Sequence, residues 1–151
     1  MNLDLIANIA EIVGVILVVI TLVFLTLQIR QNTQAICATT MKSALQSEME
    51  FAAILLNEAG VWEKILTGAA VEAGEETRKS ILLFNVFMID TEARYHQFEA
   101  GYLDRQAWDG RWSVMPQIVK LPAFNTWRQS MGGKTRSKDF LDLLDRIVAE
   151  E

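Results

Sequence analysis

The uncharged apolar run over residues 12–27 constrains the fold of this chain more than any other feature. Extended to residues 10–29, the segment contains about twenty residues, of which only Glu11 is charged. A helix of that length rises roughly 30 Å, the thickness of a bilayer's hydrocarbon core, and the run is far longer than most strands. The run therefore predicts a transmembrane helix, with residues 1–30 as a membrane anchor.

The residues around this run favour a retained anchor and give it a direction. A cleaved signal peptide begins with a positive segment, whereas the chain starts Met-Asn-Leu-Asp-Leu, and no lipoprotein-like motif precedes Cys37. No Lys or Arg precedes the apolar run, while Arg30 and Lys42 follow it. Because cytoplasmic flanks are richer in cations, we expect the N-terminus outside and the C-terminal domain in the cytoplasm.

Polar and small side chains form one stripe along the predicted anchor. Steps of three and four residues place them on a single helix face. The polar stripe consists of Glu11, Gly14, Val18, Thr21, Leu25, Gln28 and Asn32. The opposite face suits lipid and consists of Ile9, Val13, Ile16, Ile20, Val23 and Leu27. A carboxylate costs up to ~3 kcal/mol at mid-membrane, so such a group usually faces protein or water.

Two interpretations of the polar stripe are open. In the first, Glu11 and Gln28 mark the two membrane interfaces, and Gly14 and Thr21 are ordinary residues of a membrane helix. In the second, the stripe is the seam of a homo-oligomer, because small and hydroxyl residues allow close helix approach and hydrogen bonding. If that oligomer encloses a lumen, the stripe lines a pore, with Glu11 as an acidic ring and apolar constrictions further along. Those constrictions are Val18 and Leu25.

Residues 31–151 are predicted to form a soluble, all-helical domain. Apolar positions at helical spacing extend the anchor helix into it, and Gly60 is its expected end. These positions are Cys37, Met41, Leu45, Met49, Ala52 and Leu56. A connector over residues 68–76 precedes a helix over 76–99, whose apolar run over 81–89 covers all faces and makes the helix the expected centre of the domain. No alternating strand pattern is present, so the expected class is all-α: one transmembrane helix, continuing as a long helix, plus a soluble helical bundle.

Capping residues, prolines and glycines predict where the helices of the remaining domain begin and end. Asp104 is the expected N-cap of the next helix, which Pro116 should kink or end, and Pro122 begins another. The pair Gly132-Gly133 is expected to break that helix, and Ser137 to cap the last one. The four tryptophans are expected to be anchors of the core or of an interface.

The residues available for chemistry are few. The formal net charge of −5 argues against a nucleic-acid partner, which requires a basic face. A single Cys and a single His rule out an internal disulfide and a His or Cys cluster for zinc. His96 and Glu92 lie at i, i+4, a spacing that suits a general base or pH sensor but more often marks a helix-surface pair. We predict no enzyme and no catalytic, cofactor-binding or metal-binding residue.

Two segments resemble a group of small bacterial membrane-anchored proteins of uncharacterised function. The first is Leu22-Val-Phe-Leu-Thr-Leu-Gln-Ile-Arg-Gln-Asn-Thr-Gln-Ala at the membrane exit. The second begins Glu92-Ala-Arg-Tyr-His-Gln-Phe-Glu-Ala-Gly-Tyr-Leu-Asp and continues through Trp108, Leu121-Pro-Ala-Phe-Asn-Thr-Trp and Asp139-Phe-Leu. The resemblance implies a bacterial membrane protein and carries no activity.

Together these observations predict a non-enzymatic bacterial inner-membrane protein that associates with itself. Its expected partners are the lipid bilayer, further copies of the same chain and a second membrane protein, but no nucleic acid. A channel-like assembly with the polar stripe facing the interior is one form of this prediction. The alternative is a monomeric, membrane-anchored accessory or adaptor subunit that binds another protein.

Overall fold

The computed structural model describes residues 3–69 and 74–149, so the predicted connector lies partly outside the described residues. The described residues form eight helices and no strand, which confirms the all-α class. The helices are α1 Leu3–Asn57, α2 Ala59–Thr67, α3 Glu75–Glu99, α4 Arg105–Trp112, α5 Met115–Ile118, α6 Pro122–Gln129, α7 Met131–Lys134 and α8 Lys138–Ala149.

The chain divides into two compact units, Met1–Thr39 and Thr40–Glu151. In the first unit, α1 contains a segment long and apolar enough to cross a membrane, with a mean hydropathy of 2.9. None of that segment is buried by the rest of the chain. The predicted long helix is therefore confirmed, since α1 runs unbroken to Asn57. The exact extent of an anchor, predicted as residues 1–30, stays a prediction.

The core of the second unit is organised around α3. Leu83, Phe84, Phe87 and Met88 of this helix are buried, as its apolar run predicted. Side chains of α2, α5, α6 and α8 pack around them, and the buried members include Ile65, Met115, Ile118, Phe124, Trp127, Phe140 and Leu144. Because these aromatic side chains are buried, replacing one of them with alanine should lower the free energy of unfolding by about 3–5 kcal/mol.

Trp62, Trp112 and Trp127 pack in or against this core, and Trp108 is buried in a second, smaller cluster with Ala44 and Leu103, so all four are core anchors. Trp127 is fully buried beside Phe84, and Trp108 stacks on Trp112 with 4.9 Å between ring centroids. Trp62 meets Phe51 edge to face at 5.6 Å. These contacts pack α1, α2, α4 and α6 against the two clusters, which share the partly buried neighbours Tyr95 and Trp112.

The second half of α1 packs against the core by a different face from the one that carries the apolar positions from Cys37 to Leu56. Ala44 is buried, and Phe51 and Leu55 are partly buried against the core. By contrast, Met49 is 74% exposed and Leu56 is 82% exposed. Helical spacing of apolar residues predicts a helix, but it does not say which of two apolar faces meets the core.

Two predicted helix ends are wrong at the level of individual residues. α1 ends at Asn57 and α2 begins at Ala59, so Gly60 lies within α2 and does not end α1. The pair Gly132-Gly133 lies inside α7, and the break falls at Ser130, whose hydroxyl caps α7 by accepting from the Gly133 N–H. A Cβ on Gly132 would overlap the Asn85 amide, and one on Gly133 the Trp127 carbonyl. Both positions require glycine because neighbouring atoms leave no room for a Cβ, and neither glycine ends a helix.

The signals at Asp104, Pro116 and Pro122 agree with the structure, whereas capping of the last helix by the Ser137 side chain stays a prediction. The Asp104 side chain accepts a hydrogen bond of 2.8 Å from the Ala107 N–H, the contact of an N-cap. Pro116 and Pro122 lie in the first turns of α5 and α6, where a missing N–H is tolerated.

Candidate functional site

The polar stripe lies on one uninterrupted part of α1. All seven members are exposed. In the described residues, no hydrogen bond or ion pair involves the side chain of Glu11 or Gln28. The exposed Asn32 amide likewise has no such bond among the described residues, so Glu11, Gln28 and Asn32 are the members whose side chains can bind water, lipid headgroups or a partner.

The hydroxyl groups in the apolar segment are satisfied by their own helix. Thr21 donates to the Leu17 carbonyl at 2.8 Å, and Thr26 donates to the Leu22 carbonyl at 2.8 Å. Such bonds leave no unmatched donor in lipid, although each hydroxyl oxygen can still accept. Thr21 is thus compatible with both interpretations of the stripe.

Gly14 distinguishes better than Thr21 between an ordinary membrane helix and the seam of a homo-oligomer. A Cβ added there would meet no atom within 4 Å, so no contact in the described chain requires a glycine. Glycine inside a helix costs about 0.5–1 kcal/mol relative to alanine in water. A small residue that the chain itself does not need is typical of a surface approached closely by a second helix.

A network of charges around the buried Arg94 holds helices of the second unit together, and sequence reasoning missed it. Arg94 on α3 is only 4% exposed. Its guanidinium donates to the Ala44 carbonyl at 2.7 Å and to Asp90 at 2.9 Å, and forms an ion pair with Glu48 at 3.2 Å. Arg94 therefore joins α3 to the part of α1 that lies in this unit.

Arg111 on α4 completes the network. It pairs with Asp90 at 2.9 Å, donates to the Thr91 hydroxyl at 3.0 Å and lies over the Phe87 ring at 4.1 Å. Burial lowers the pKa of Arg111, and the Asp90 carboxylate opposes that shift. Two guanidinium groups thus share one carboxylate, which satisfies charges that would otherwise be costly to bury.

This network is suited to holding α1, α3 and α4 together, because its charged groups pair with each other. Only the i, i+4 pair of Asp90 and Arg94, directly after the apolar run over 81–89, could have signalled it. Arg111 and Glu48 come from distant parts of the chain, and no spacing rule connects them with α3.

His96 and Glu92 form part of a second polar cluster. Glu92 accepts from the Ser137 N–H at 2.6 Å and pairs with Arg136 at 3.0 Å. The His96 ring nitrogen lies 3.9 Å from Glu92 and 3.1 Å from the Ser137 hydroxyl. The Glu92 carboxylate is therefore engaged at the start of α8, and this arrangement serves to position that helix.

Metal binding has no support in residues 3–69 and 74–149, where no group of three or more His, Cys, Asp or Glu side chains could hold an ion.

No protein-family model, curated protein or solved structure matches the chain. The resemblance to small bacterial membrane-anchored proteins therefore stays a prediction.

Proposed function

We propose that this chain is a non-enzymatic protein of the bacterial inner membrane that associates with itself through the polar stripe of α1. The observation that carries the proposal is the stripe itself, with Gly14 as a glycine that no contact in the described chain requires. The proposed assembly is channel-like, with the stripe facing its interior.

The charge of Glu11 supports an interior position for the stripe. An unpaired carboxylate is unfavourable in lipid, with a cost that falls towards the interface. Packing of several copies around the stripe would give Glu11 either a neighbouring polar group or water. The opposite face, which includes Val13, Ile16 and Ile20, offers apolar side chains to lipid.

The cations beside the apolar segment support an orientation. Arg30 and Lys42 follow it, and no Lys or Arg precedes it. We therefore propose that Thr40–Glu151, the second unit, lies in the cytoplasm.

In the channel-like form, the stripe sets the properties of the pore. Glu11 would form an acidic ring at the outer mouth and favour cations over anions. Val18 and Leu25 would form apolar constrictions, which oppose ion passage by excluding water.

Site-directed crosslinking in membranes tests self-association through the stripe. Thr21→Cys places a thiol on the stripe, and Ile20→Cys places one at nearly the same depth on the opposite face; both are made in a Cys37→Ala background. A short bismaleimide should join Thr21→Cys chains more efficiently than Ile20→Cys chains. Equal or reversed efficiencies, or monomer alone for both variants, would contradict the proposal.

An adaptor function is favoured by a different observation, the exposed apolar side chains of the second unit. Met49 and Leu56 lie on its surface, where a protein partner could cover them. A chain that stays monomeric in the crosslinking experiment, and copurifies with a second membrane protein, would support this function instead.

A further inference from the structure

Two exposed apolar surfaces flank the packed face of α1 in the described residues of the second unit. The first, the α1 ridge, consists of Met41, Leu45, Met49, Ala52 and Leu56. The second, the α1–α3 groove, is an open depression of about 260 Å³ whose apolar lining includes Phe51, Ile54, Val86, Ile89 and Ala93. Contiguous exposed apolar surface on a folded unit usually marks an interaction site.

The two surfaces lie on different sides of α1. Leu45 and Ile54 are nine residues apart, about two and a half helical turns, so their side chains point in opposite directions. The packed face, with Ala44 and Leu55, lies between them. One surface cannot therefore cover the other within a single chain.

The spacing of the ridge suits contact with another helix or with a groove. Its members follow one another at intervals of four, four, three and four residues. Eleven residues separate Met41 from Ala52 and Leu45 from Leu56, and an eleven-residue repeat keeps a stripe nearly in line along a helix. Met41, Leu45 and Met49 are the exposed side chains of the ridge that can enter a groove, while Ala52 and Leu56 line an open apolar depression of about 510 Å³ beside α2. The α1–α3 groove offers a concave complement to the exposed ridge side chains.

We infer that the α1 ridge of one copy packs into the α1–α3 groove of a neighbouring copy, an inference that rests on the self-association proposed above. Copies inserted in a membrane share one orientation. The ridge and the groove are level with each other along α1, because Leu45 to Ala52 and Ser47 to Ile54 overlap in sequence. Parallel copies therefore present the two surfaces at the same level along α1.

Charge complementarity also favours a second copy. Lys42 lies beside the ridge, three residues before Leu45 and seven before Met49. Glu50 lines the groove. When the ridge of one copy enters the groove of the next, Lys42 and Glu50 bring opposite charges to the same contact.

A contact between two different surfaces is heterologous and repeats from copy to copy. If the rotation closes, it generates a ring with its axis along the membrane normal, since all copies share one orientation. A ridge that paired with the same ridge of a second copy would instead give a closed dimer. The two arrangements predict different crosslinked products.

The test uses the full-length protein in membranes, in a Cys37→Ala background with a short bismaleimide. The double variant Leu45→Cys/Val86→Cys should give a ladder of products larger than a dimer. Each single variant should leave mostly monomer. A matched control, Leu45→Cys/Val148→Cys, carries its second thiol on α8 at an exposed valine outside both surfaces and should lose the ladder.

Several outcomes would overturn the inference. Abundant dimer from Leu45→Cys alone would show ridge-to-ridge pairing, and crosslinking to a different protein would identify another occupant. A missing ladder with retained crosslinking of Thr21→Cys would remove the inference while leaving the proposed self-association intact. Loss of both would remove the proposed function as well.

Charge reversal provides an independent check. Lys42→Glu or Glu50→Lys alone should reduce the yield of the Leu45→Cys/Val86→Cys ladder. The two reversals together should restore it, because the opposite charges meet again with their signs exchanged. Failure of the double reversal to recover the yield would contradict the proposed pairing of ridge and groove.

Discussion

The guanidinium of Arg94 donates a hydrogen bond of 2.7 Å to the carbonyl of Ala44, a residue fifty positions earlier in the chain. The bond joins α3 to α1 within the second unit, and Asp90 and Glu48 neutralise the arginine. This part of α1 is therefore held by a buried charge as well as by apolar packing.

Removal of that arginine should destabilise the second unit. Arg94→Ala leaves the Ala44 carbonyl without this donor and Asp90 with one guanidinium instead of two, so we expect a loss of about 3 kcal/mol. Urea unfolding in detergent, followed by tryptophan fluorescence, measures the change because all four tryptophans lie in this unit. Arg105→Ala, at an exposed pair with Asp109, should change stability by less than about 0.5 kcal/mol. Equal losses would contradict the structural importance of the network.

The two glycines of α7 should not tolerate a methyl group. Gly133→Ala would place its Cβ against the backbone of Trp127 and Arg128, which cannot rotate away, so a loss of about 1–3 kcal/mol is expected. Gly110→Ala is the matched control, because α4 has open space there and alanine is the better helix former. The control should retain or gain stability in thermal unfolding. A neutral Gly133→Ala would show that the close approach is absent.

Tyr95 should make stability depend on pH in the alkaline range. Burial is the main cause that raises its pKa above the usual 10.0, and the charge of Glu99 adds to the shift. The folded state thus holds the phenol proton more tightly than the unfolded state, so this contribution is present below pH 10 and declines as pH rises further. Tyr95→Phe should flatten that decline.

Ultraviolet titration of tyrosinate measures the same shift directly. The chain has two tyrosines, so a Tyr102→Phe variant isolates Tyr95. Its native phenol should ionise at higher pH than the same phenol in urea. Coincident native and unfolded curves would rule out the shift.

Ion flux tests the channel-like form of the assembly. In reconstituted vesicles, Leu25→Ser should increase flux because it wets an apolar constriction, and Glu11→Gln should weaken cation preference because it removes the acidic ring. Ile16→Leu, on the opposite face of the anchor helix, should behave like the parent protein. Vesicles that stay silent with the parent protein and all variants would remove the channel-like form.

Much of the fold follows from local patterns in the sequence. The apolar run of α3 predicted a central helix, and Asp104 and Pro122 marked helix starts, because capping and proline effects act over a few residues. The packed face of α1 could not be predicted, since the ridge and the packed face both have apolar members at helical spacing. The positions of α2, α3 and α4, which contact the packed face, decide between them.

Of the candidate sites, one can be recognised from the sequence and the other cannot. The polar stripe is visible in the sequence because one helix determines which residues share its face. The charge network is not, because Glu48, Arg94 and Arg111 meet only after three helices have packed. The sequence predicts a helix break at Gly132 and Gly133 for a similar reason. The groups that require glycine there, the Asn85 side chain and the Trp127 carbonyl, come close only in the folded chain.

Native mass spectrometry of the full-length protein released from detergent micelles tests self-association most directly. The account predicts one dominant species whose mass is an integer multiple of the chain mass and larger than a dimer. Gly14→Leu should shift this species towards smaller assemblies, while Ile16→Leu should leave it unchanged. A strictly monomeric parent protein, across detergents that preserve its helical content, would contradict the account.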